Sequence, residues 1–287
     1  MRIAYLGDLV GTSGRQALTQ QLPHLREQWG ADVVIANCEN VANGSGITPE
    51  QYKKLTAAGV DGITLGDHAF RKQQIKATLN ETTRMIRPLN LPPKAWGHGA
   101  MVIAGAGKRP DVYVAIVLGR LFMNTLQGSD PFTALDRWLA GLPKDAVVLV
   151  ELHAEATSEK VALGWYLNGR VAAVVGSHTH VPTADARVLP APGSELSIPR
   201  HDGPVTAGTA YVTDLGMTGS RDSVLGRRVD RVVHHMSTGL PAAFDVAEGR
   251  PEVHGVVIDI DDTTRRATAI ERVALSADIS KPPFAMG

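Results

Sequence analysis

Length, composition and charge already exclude several kinds of protein. The chain has 287 residues, of which 44% are hydrophobic and 20% are charged, an ordinary globular balance. Lysine plus arginine and aspartate plus glutamate each number 29, so the formal net charge is zero. Long nucleic acids are usually held by a basic stripe, and this sequence has none, so we expect no direct binding of long nucleic acid.

The cysteine content and the length of the apolar runs indicate where in the cell the protein is expected. The single cysteine, Cys38, excludes an internal disulfide and is typical of a reducing environment. The first residues, MRIAYLGDLVG, lack a signal-peptide core, and no run approaches the ~18 apolar residues of a membrane span. We therefore expect a cytoplasmic protein without membrane attachment. The stretch 187–204, RVLPAPGSELSIPRHDGP, is interpreted as an excursion from one scaffold, so residues 1–287 are expected to form a single domain.

Short apolar runs alternate with helical patterns along the chain. The runs RIAYLG, ADVVIANCEN and GVDGITLGDH are predicted strands, and polar residues stand at the end of each. A helical pattern follows RIAYLG and extends to about Trp29, and a second one, RKQQIKATLN, follows GVDGITLGDH. Further strands are predicted for AMVIAG, DVYVAIVLG, AVVLVELH, VAAVVGSHTH, TAYVTD and HGVVIDID. Further helices are predicted for PFTALDRWLAGL, SEKVALGWYLNG and SVLGRRVDRVVHHM. The alternation favours βαβ units, and the crowded later strands predict a sheet-rich α/β sandwich.

Polar residues that can bind metal stand where these strands end. Ligands of open α/β sheets bind outside the carboxyl ends of strands, so the loops concerned are expected to converge on one crevice. The candidates are Asp8, Glu39, Asn40, Asp67, His68, His153, His178 and His180.

The candidates differ in how many interpretations each allows. Asp8 is typical of a turn or of a helix cap as much as of a metal site. Asp67 is equally typical of a residue that caps the next helix. His153 alone, after an apolar run, is more typical of a core or edge residue than of a ligand. The segment NCENVANGSG favours a site, because it crowds polar side chains between a buried strand and a glycine-rich turn.

The segment HTH, residues 178–180, is the strongest single signal. On an extended segment residues two apart face the same side, so His178 and His180 can face one site while Thr179 faces away. Imidazoles suit iron, zinc or nickel, and oxygen donors suit manganese. Even without His68, the seven other candidates exceed what one tetrahedral ion takes, so two ions sharing a carboxylate are expected.

An ordered series of motifs resembles a known family. The motifs are GD at 7–8, NCENVANGSG, GDHAF, GRLFMNT, ELHAEATSEK, VVGSHTHVPTAD and TAYVTDLGMTGSRDSVLG. Taken together, these motifs are similar to the YmdB-like branch of the calcineurin-like metallophosphoesterases. The series runs from Met1 to about Glu271. The resemblance implies a four-layer α-β-β-α sandwich, a dinuclear metal centre at the strand ends, and phosphodiesterase activity on 2′,3′-cyclic nucleotides.

The resemblance also implies roles for individual residues. It assigns Asp8, Glu39, Asn40 and His180 to one metal ion, and Asp67, His153 and His178 to a second ion that Glu39 bridges. His68 becomes the proton donor. Iron or manganese is expected in both positions, with zinc or magnesium as alternatives.

At position 67 the chain departs from the family pattern, which normally has asparagine there. A third carboxylate makes the site one unit less positive, so metal should bind more firmly while bound water is acidified less. We therefore expect weaker activity at neutral pH or an altered metal preference.

A dinuclear centre of this kind predicts the mechanism. Two ions ~3.5–4 Å apart would be able to hold a bridging hydroxide, which would attack phosphorus in line, so the expected nucleophile is water. Protonation of the leaving ribose alkoxide by His68 is expected to contribute ~10²–10⁴ in rate.

Substrate contacts and function leave alternatives open. Arg221 is a weak candidate for pairing with phosphate, while Asp222 and Ser223 are interpreted as capping the next helix. Besides the cyclic phosphodiesterase, a broad phosphomonoesterase on the same centre or a regulatory binding protein with a structural metal site fits the motifs. We also expect a homo-oligomer.

Overall fold

The computed structural model describes residues 1–107, 109–190 and 208–278. Over these residues the elements in chain order are β1 (Arg2–Leu6), β2 (Asp8–Leu9), α1 (Gly11–Glu27), β3 (Val33–Asn37), α2 (Pro49–Ala58), β4 (Gly62–Thr64), a 3-10 turn (Gln73–Ile75), α3 (Lys76–Glu81), β5 (Met85–Ile86), β6 (Ala100–Ile103), β7 (Val112–Leu118), α4 (Pro131–Leu139), β8 (Val147–His153), α5 (Thr157–Leu167), β9 (Ala173–Ser177), β10 (Arg187–Leu189), β11 (Thr209–Val212), β12 (Met217–Ser220), α6 (Val229–Thr238), β13 (Pro251–Ile260) and β14 (Ala267–Ser276).

Local sequence explains where the helices begin and end. Thr48 caps α2 by accepting a hydrogen bond from the Gln51 backbone N–H, and the Gln51 side chain accepts one from the Thr48 N–H. Gly59 ends α2 with a φ of 114°, which residues with a Cβ rarely adopt. The Asp130 side chain caps α4, directly before Pro131.

The first sheet has the strand order β2-β12-β13-β1-β3-β4-β5, and β14 pairs with β13. Strands β1, β3, β4 and β5 are parallel, whereas β13 is antiparallel to β1. Parallel strands end at a common edge, so the residues that follow β1, β3 and β4 are brought together.

The second sheet has the strand order β10-β11-β9-β8-β7-β6. Its central strands β7, β8, β9 and β11 are parallel, and the outer strands β6 and β10 are antiparallel to their neighbours. The register places His153, at the end of β8, opposite Ser177, at the end of β9.

Both faces of the central strands are buried, which explains their nearly continuous apolar sequences. Along β1, Ile3 and Tyr5 pack into a cluster with Val114 and Leu149 of the second sheet, while Ala4 and Leu6 pack into a cluster with α1. A third cluster joins the opposite face of the second sheet to α4 and α5. The expectation of a sheet-rich α/β fold with two sheets is confirmed.

Several sequence-based boundaries were wrong. The pattern SVLGRRVDRVVHHM predicted a helix from residue 223, but α6 begins at Val229 because Val224 and Arg227 pair with each other in a tight turn. The short strands β2, β5, β10 and β12, and the long edge strand β14, were not predicted. Within the predicted excursion 187–204, residues 187–189 form β10, and 191–204 lie outside the described residues.

The described part of the chain contains no helix long and apolar enough to cross a membrane.

Candidate metal centre

The predicted site residues come from both sheets. Asp8 begins β2, Glu39 and Asn40 follow β3, and Asp67 and His68 follow β4 in the first sheet. His153 ends β8, and His178 and His180 follow β9 in the second sheet. The sheets approach closely here, because a Cβ on Gly66 would collide with the imidazole ring of His153. The glycine of the GDH motif therefore allows His153 to reach the residues of the first sheet.

Four of these side chains form a compact cluster, comprising Glu39, Asp67, His153 and His178, whose ligand atoms all lie within 4.8 Å of one another. His153 Nε2 is 3.1 Å from Glu39 Oε1 and 3.1 Å from Asp67 Oδ1. His178 Nδ1 is 3.0 Å from His153 Nε2 and 3.6 Å from Asp67 Oδ1. Two imidazole nitrogens and two carboxylates are a donor set that suits a transition-metal ion.

The electrostatics of this cluster favour a cation at its centre. Burial alone would raise the pKa of Glu39 and of Asp67, but the hydrogen bond and charge of His153 hold both below their usual values. Burial would lower the pKa of His153, but Glu39 and Asp67 raise it well above its usual value. Burial and the neighbouring His153 lower the pKa of His178 to about 4, so this imidazole is neutral at pH 7 with a lone pair for a ligand.

Asp8, Asn40 and His180 form a second group beside the four-residue cluster. Asp8 is fully buried, and no described residue donates a hydrogen bond to its Oδ1 atom. Burial raises the pKa of Asp8 well above its usual value, and Glu39 adds to the effect. His180 Nε2 lies 3.8 Å from Asp8 Oδ1 and 3.1 Å from Asn40 Nδ2. A buried carboxylate oxygen without a partner is costly unless a cation or another donor satisfies it, so this group also fits a metal ion.

His68 lies between the two groups and is a quarter exposed. Its backbone N–H donates to Glu39 Oε2 at 2.8 Å, and its Nδ1 is 2.9 Å from Asn40 Oδ1. Because the amide oxygen can only accept, Nδ1 carries the proton of this bond. The second ring nitrogen, Nε2, lies 3.9 Å from Asp67 Oδ2 on the side of the cluster.

The HTH segment is not extended, which corrects the sequence-based explanation. Strand β9 ends at Ser177, and His178 and His180 have φ angles of 95° and 65°. Thr179 does face away from the cluster, since its N–H and hydroxyl both donate to Asp214 Oδ2. Lys160 Nζ forms a buried ion pair with Asp214 at 2.7 Å. Two left-handed residues around an anchored threonine, rather than strand alternation, therefore direct the two imidazoles.

A buried network behind His153 was missed by sequence reasoning. Glu151, fully buried on β8, accepts hydrogen bonds from the hydroxyls of Tyr5, Thr64 and Ser177 and from Asn37 Nδ2. The Ser177 hydroxyl gives its proton to Glu151, so its oxygen accepts from His153 Nδ1 at 2.8 Å. Because Nδ1 donates to Ser177, a metal ion that displaces the proton on Nε2 would find the lone pair of His153 directed toward the cluster. A glutamate inside the apolar run VVLVELH was the available signal.

Glu155 was also missed. Its Oε2 atom lies 3.2 Å from His178 Nε2, so Nε2 donates to it and Nδ1 faces the cluster. In the sequence, a glutamate two residues after His153 cannot be distinguished from an ordinary exposed loop residue.

Residues 221–223 form ion pairs and turn hydrogen bonds after β12. Arg221 directly follows β12, and its guanidinium pairs with Glu252 at 2.8 Å. The interpretation of Asp222 and Ser223 as helix caps is wrong, because Asp222 pairs with Arg250 and Ser223 bonds to the Ser220 carbonyl and the Gly226 N–H. Helix α6 begins without a side-chain cap, after Arg228.

Comparisons with known proteins agree with this architecture. The chain is 40% identical to the 2′,3′-cyclic-nucleotide 2′-phosphodiesterase of Bacillus subtilis (strain 168) over 279 residues, which cover 97% of this chain and 98% of that protein. It superposes with a TM-score of 0.84 on the crystal structure of a hypothetical protein from Thermus thermophilus, at 39% identity, covering 97% of this chain and 100% of that one. The crystal structure of a novel phosphatase from Mycoplasma pneumoniae also gives a TM-score of 0.84, at 30% identity, covering 96% of this chain and 93% of that one.

A family model tests the resemblance stated from the motifs. The model described as YmdB-like protein matches residues 4–273, nearly the whole chain. This match spans every strand and helix that contributes to the two groups of side chains. The resemblance is thus confirmed, and the chain belongs to the YmdB-like protein family.

Proposed function

We propose that the protein is a dinuclear-metal-dependent phosphodiesterase that hydrolyses 2′,3′-cyclic nucleotides. The observation that carries the proposal is the convergence of Glu39, Asp67, His153 and His178 within 4.8 Å, next to a buried Asp8 whose Oδ1 has no partner among the described residues. The name of the B. subtilis relative supports the substrate class, since the two chains align over almost their full lengths.

The two groups of side chains support a division of ligands. Asp67, His153 and His178 would hold one metal ion, and Asp8, Asn40 and His180 the other, with the carboxylate of Glu39 shared. Glu39 is suited to the bridging role because its Oε1 lies 3.1 Å from His153 Nε2 in one group, while burial and the Glu39 charge together raise the pKa of Asp8 in the other. The mixed nitrogen and oxygen donors favour iron or manganese, with zinc or magnesium as alternatives.

When bound, two such ions supply Lewis acidity at the phosphate oxygens and a water nucleophile at neutral pH. The residues of the chain supply the rest. As an imidazolium with a proton on each ring nitrogen, His68 would deliver the Nε2 proton to the leaving ribose oxygen, because the Nδ1 proton is held by Asn40 Oδ1, and the ring would be left neutral. Ser177 and Glu155 hold His153 and His178 in the tautomers that present a lone pair to the cluster.

The wider setting follows from the same reasoning. The three hydrophobic clusters support a four-layer α-β-β-α sandwich of the metallophosphoesterase type, and residues 1–287 would form a single such domain. A cytoplasmic location and a homo-oligomeric state stay predictions. The name of the M. pneumoniae structure supports a broad phosphomonoesterase as the second candidate.

The test is a substrate panel with a proton-donor variant. We expect wild-type protein to hydrolyse 2′,3′-cyclic AMP faster than p-nitrophenyl phosphate, and chelation to abolish the activity until Mn²⁺ is restored. His68→Ala should lower kcat on the cyclic diester by about 10²–10⁴ while metal content stays at the wild-type level. Faster turnover of the monoester would favour the phosphomonoesterase, and no turnover of either substrate would favour a regulatory protein. Full activity of His68→Ala with metal bound would remove His68 from the mechanism.

A further inference from the structure

A cavity of about 610 Å³ adjoins the candidate metal centre and has His180 in its wall. Its other walls come from the segment after β9, from β12 and the turn after it, and from β13 and β14. The cavity therefore begins at a proposed metal ligand and extends along β12, β13 and β14 of the first sheet.

Strand register shows that the floor of this cavity continues the face on which Asp8 lies. Met217 pairs with Asp8, so the two side chains leave the same face. Gly219, two residues on, pairs with Glu252, which in turn pairs with Ser276 on β14. A substrate whose phosphate meets the Asp8 group can thus lie on this face of the sheet, across β12 and β13.

The mouth of the cavity, beside His180, is apolar. Val181 and Leu225 line it and are 52% and 48% exposed, although large aliphatic side chains usually avoid water. Leu225 is fixed there by its own carbonyl, which accepts a hydrogen bond from His180 Nδ1 at 3.1 Å. Two exposed aliphatic side chains next to a reaction centre offer apolar surface against which the face of a flat ring can pack.

The far end of the cavity is polar. Glu252 accepts from Arg221 at 2.8 Å and from His254 Nε2 at 3.1 Å. The other nitrogen of His254, Nδ1, is buried, and no described residue hydrogen-bonds to it. A guanidinium and a carboxylate side by side offer both donors and acceptors, which the edges of nucleobases require.

We propose that this cavity receives the nucleobase of the substrate, with Val181 and Leu225 against the ring and Arg221 and Glu252 at its edge. The inference rests on the proposed function, since it places the phosphate at the Asp8 group. Arg221, a weak candidate from sequence for pairing with phosphate, becomes instead a residue that contacts the base. The cavity then supplies affinity for nucleotides that a bare cyclic phosphate does not obtain.

The experiment compares two substrates that share the reacting ring. These are 2′,3′-cyclic AMP and methyl riboside 2,3-cyclic phosphate, which lacks the base. The blocking variant is Ala274→Trp, because Ala274 is exposed on the edge strand β14 and lines the cavity. The matched control is Ala269→Trp, exposed on the same strand and absent from the cavity wall. Glu252→Gln is a second, smaller variant.

We expect wild type to prefer the nucleotide, with the preference in KM. In Ala274→Trp the ratio of kcat/KM for the nucleotide to that for the riboside should fall at least about tenfold, or about 1.4 kcal/mol. Glu252→Gln should lower the ratio less, and Ala269→Trp should retain it. An equal kcat/KM for both substrates in wild type, or an unchanged ratio in Ala274→Trp, would overturn the inference.

Equilibrium binding separates this inference from the proposed function. If wild type hydrolyses neither substrate, the proposed function fails, and adenosine 3′-monophosphate and ribose 3-phosphate are then titrated into the protein by calorimetry. Tighter binding of the nucleotide by wild type and Ala269→Trp, lost in Ala274→Trp, would support the base site even then. Equal binding of both ligands would remove it.

Discussion

The substitution Ser177→Ala tests how the second sheet orients a proposed metal ligand. Ser177 is buried between Glu151 and His153, donating to Glu151 Oε1 at 2.5 Å and accepting from His153 Nδ1 at 2.8 Å. Alanine removes both bonds at once. We expect His153 to lose its preferred tautomer and orientation, so that Nε2 no longer presents a lone pair to Glu39 and Asp67.

The structure sets the magnitude of this effect. Loss of a hydrogen bond to a charged group costs about 1.5–3 kcal/mol, and an unpaired buried donor on His153 adds about 1–3 kcal/mol. Outer-shell partners of metal-binding histidines are typically worth ~10–100-fold in metal affinity. Ser177→Ala should therefore lower both the free energy of unfolding and the affinity for Mn²⁺.

A matched control separates the two effects. Thr64 donates to Glu151 Oε2 at 2.5 Å and is equally buried. Because no hydrogen bond joins Thr64 to His153 in the described structure, Thr64→Val should cost about 1.5–3 kcal/mol of stability and leave metal affinity unchanged. Urea denaturation of the metal-free proteins and calorimetric titration with Mn²⁺ give both quantities. Equal metal affinity in the two variants would refute the orienting role of Ser177.

The remaining predictions concern charge and bound metal. Asp67→Asn removes one carboxylate from the cluster, so activity at neutral pH should rise or metal preference should change; an unchanged pH profile together with an unchanged metal requirement would contradict this. Lys160→Met leaves Asp214 buried without its ion pair and should lower the free energy of unfolding by about 3–5 kcal/mol in urea, whereas a loss below about 1 kcal/mol would show that the pair is dispensable. Metal at a concentration about 100-fold above its dissociation constant should add about 2.7 kcal/mol to the free energy of unfolding and raise Tm, and chelation should reverse both changes. A Tm that does not change when chelator is added would argue against a resident metal.

Much of the fold could be predicted from local patterns because its central strands are buried on both faces. Runs such as RIAYLG and AVVLVELH are apolar throughout and end in polar residues, and they correspond to β1 and β8. Strand β14 escaped prediction because it is an edge strand, in which exposed residues such as Glu271 and Arg272 interrupt the apolar pattern. The pairing of β2 with β12 joins residues far apart in the chain, Asp8 with Met217, and has no local signal.

The candidate site was predictable where residue type and strand end coincide. The compact cluster of Glu39, Asp67, His153 and His178 follows from that rule, although the ligand assignments themselves stay predictions. What local reasoning could not supply is how the imidazoles are aimed. That depends on left-handed backbone at His178 and on Ser177, which lies beside His153 only once β8 and β9 pair.

The central claim is that the two neighbouring groups of side chains hold two metal ions. Metal analysis by mass spectrometry tests it most directly, first on protein purified without added metal and then on the same protein after saturation with iron and manganese. The structure leads us to expect about two iron or manganese ions per chain in wild type, as two-metal hydrolytic sites require. A stoichiometry of one ion or fewer per chain, after saturation with iron and manganese, would contradict it.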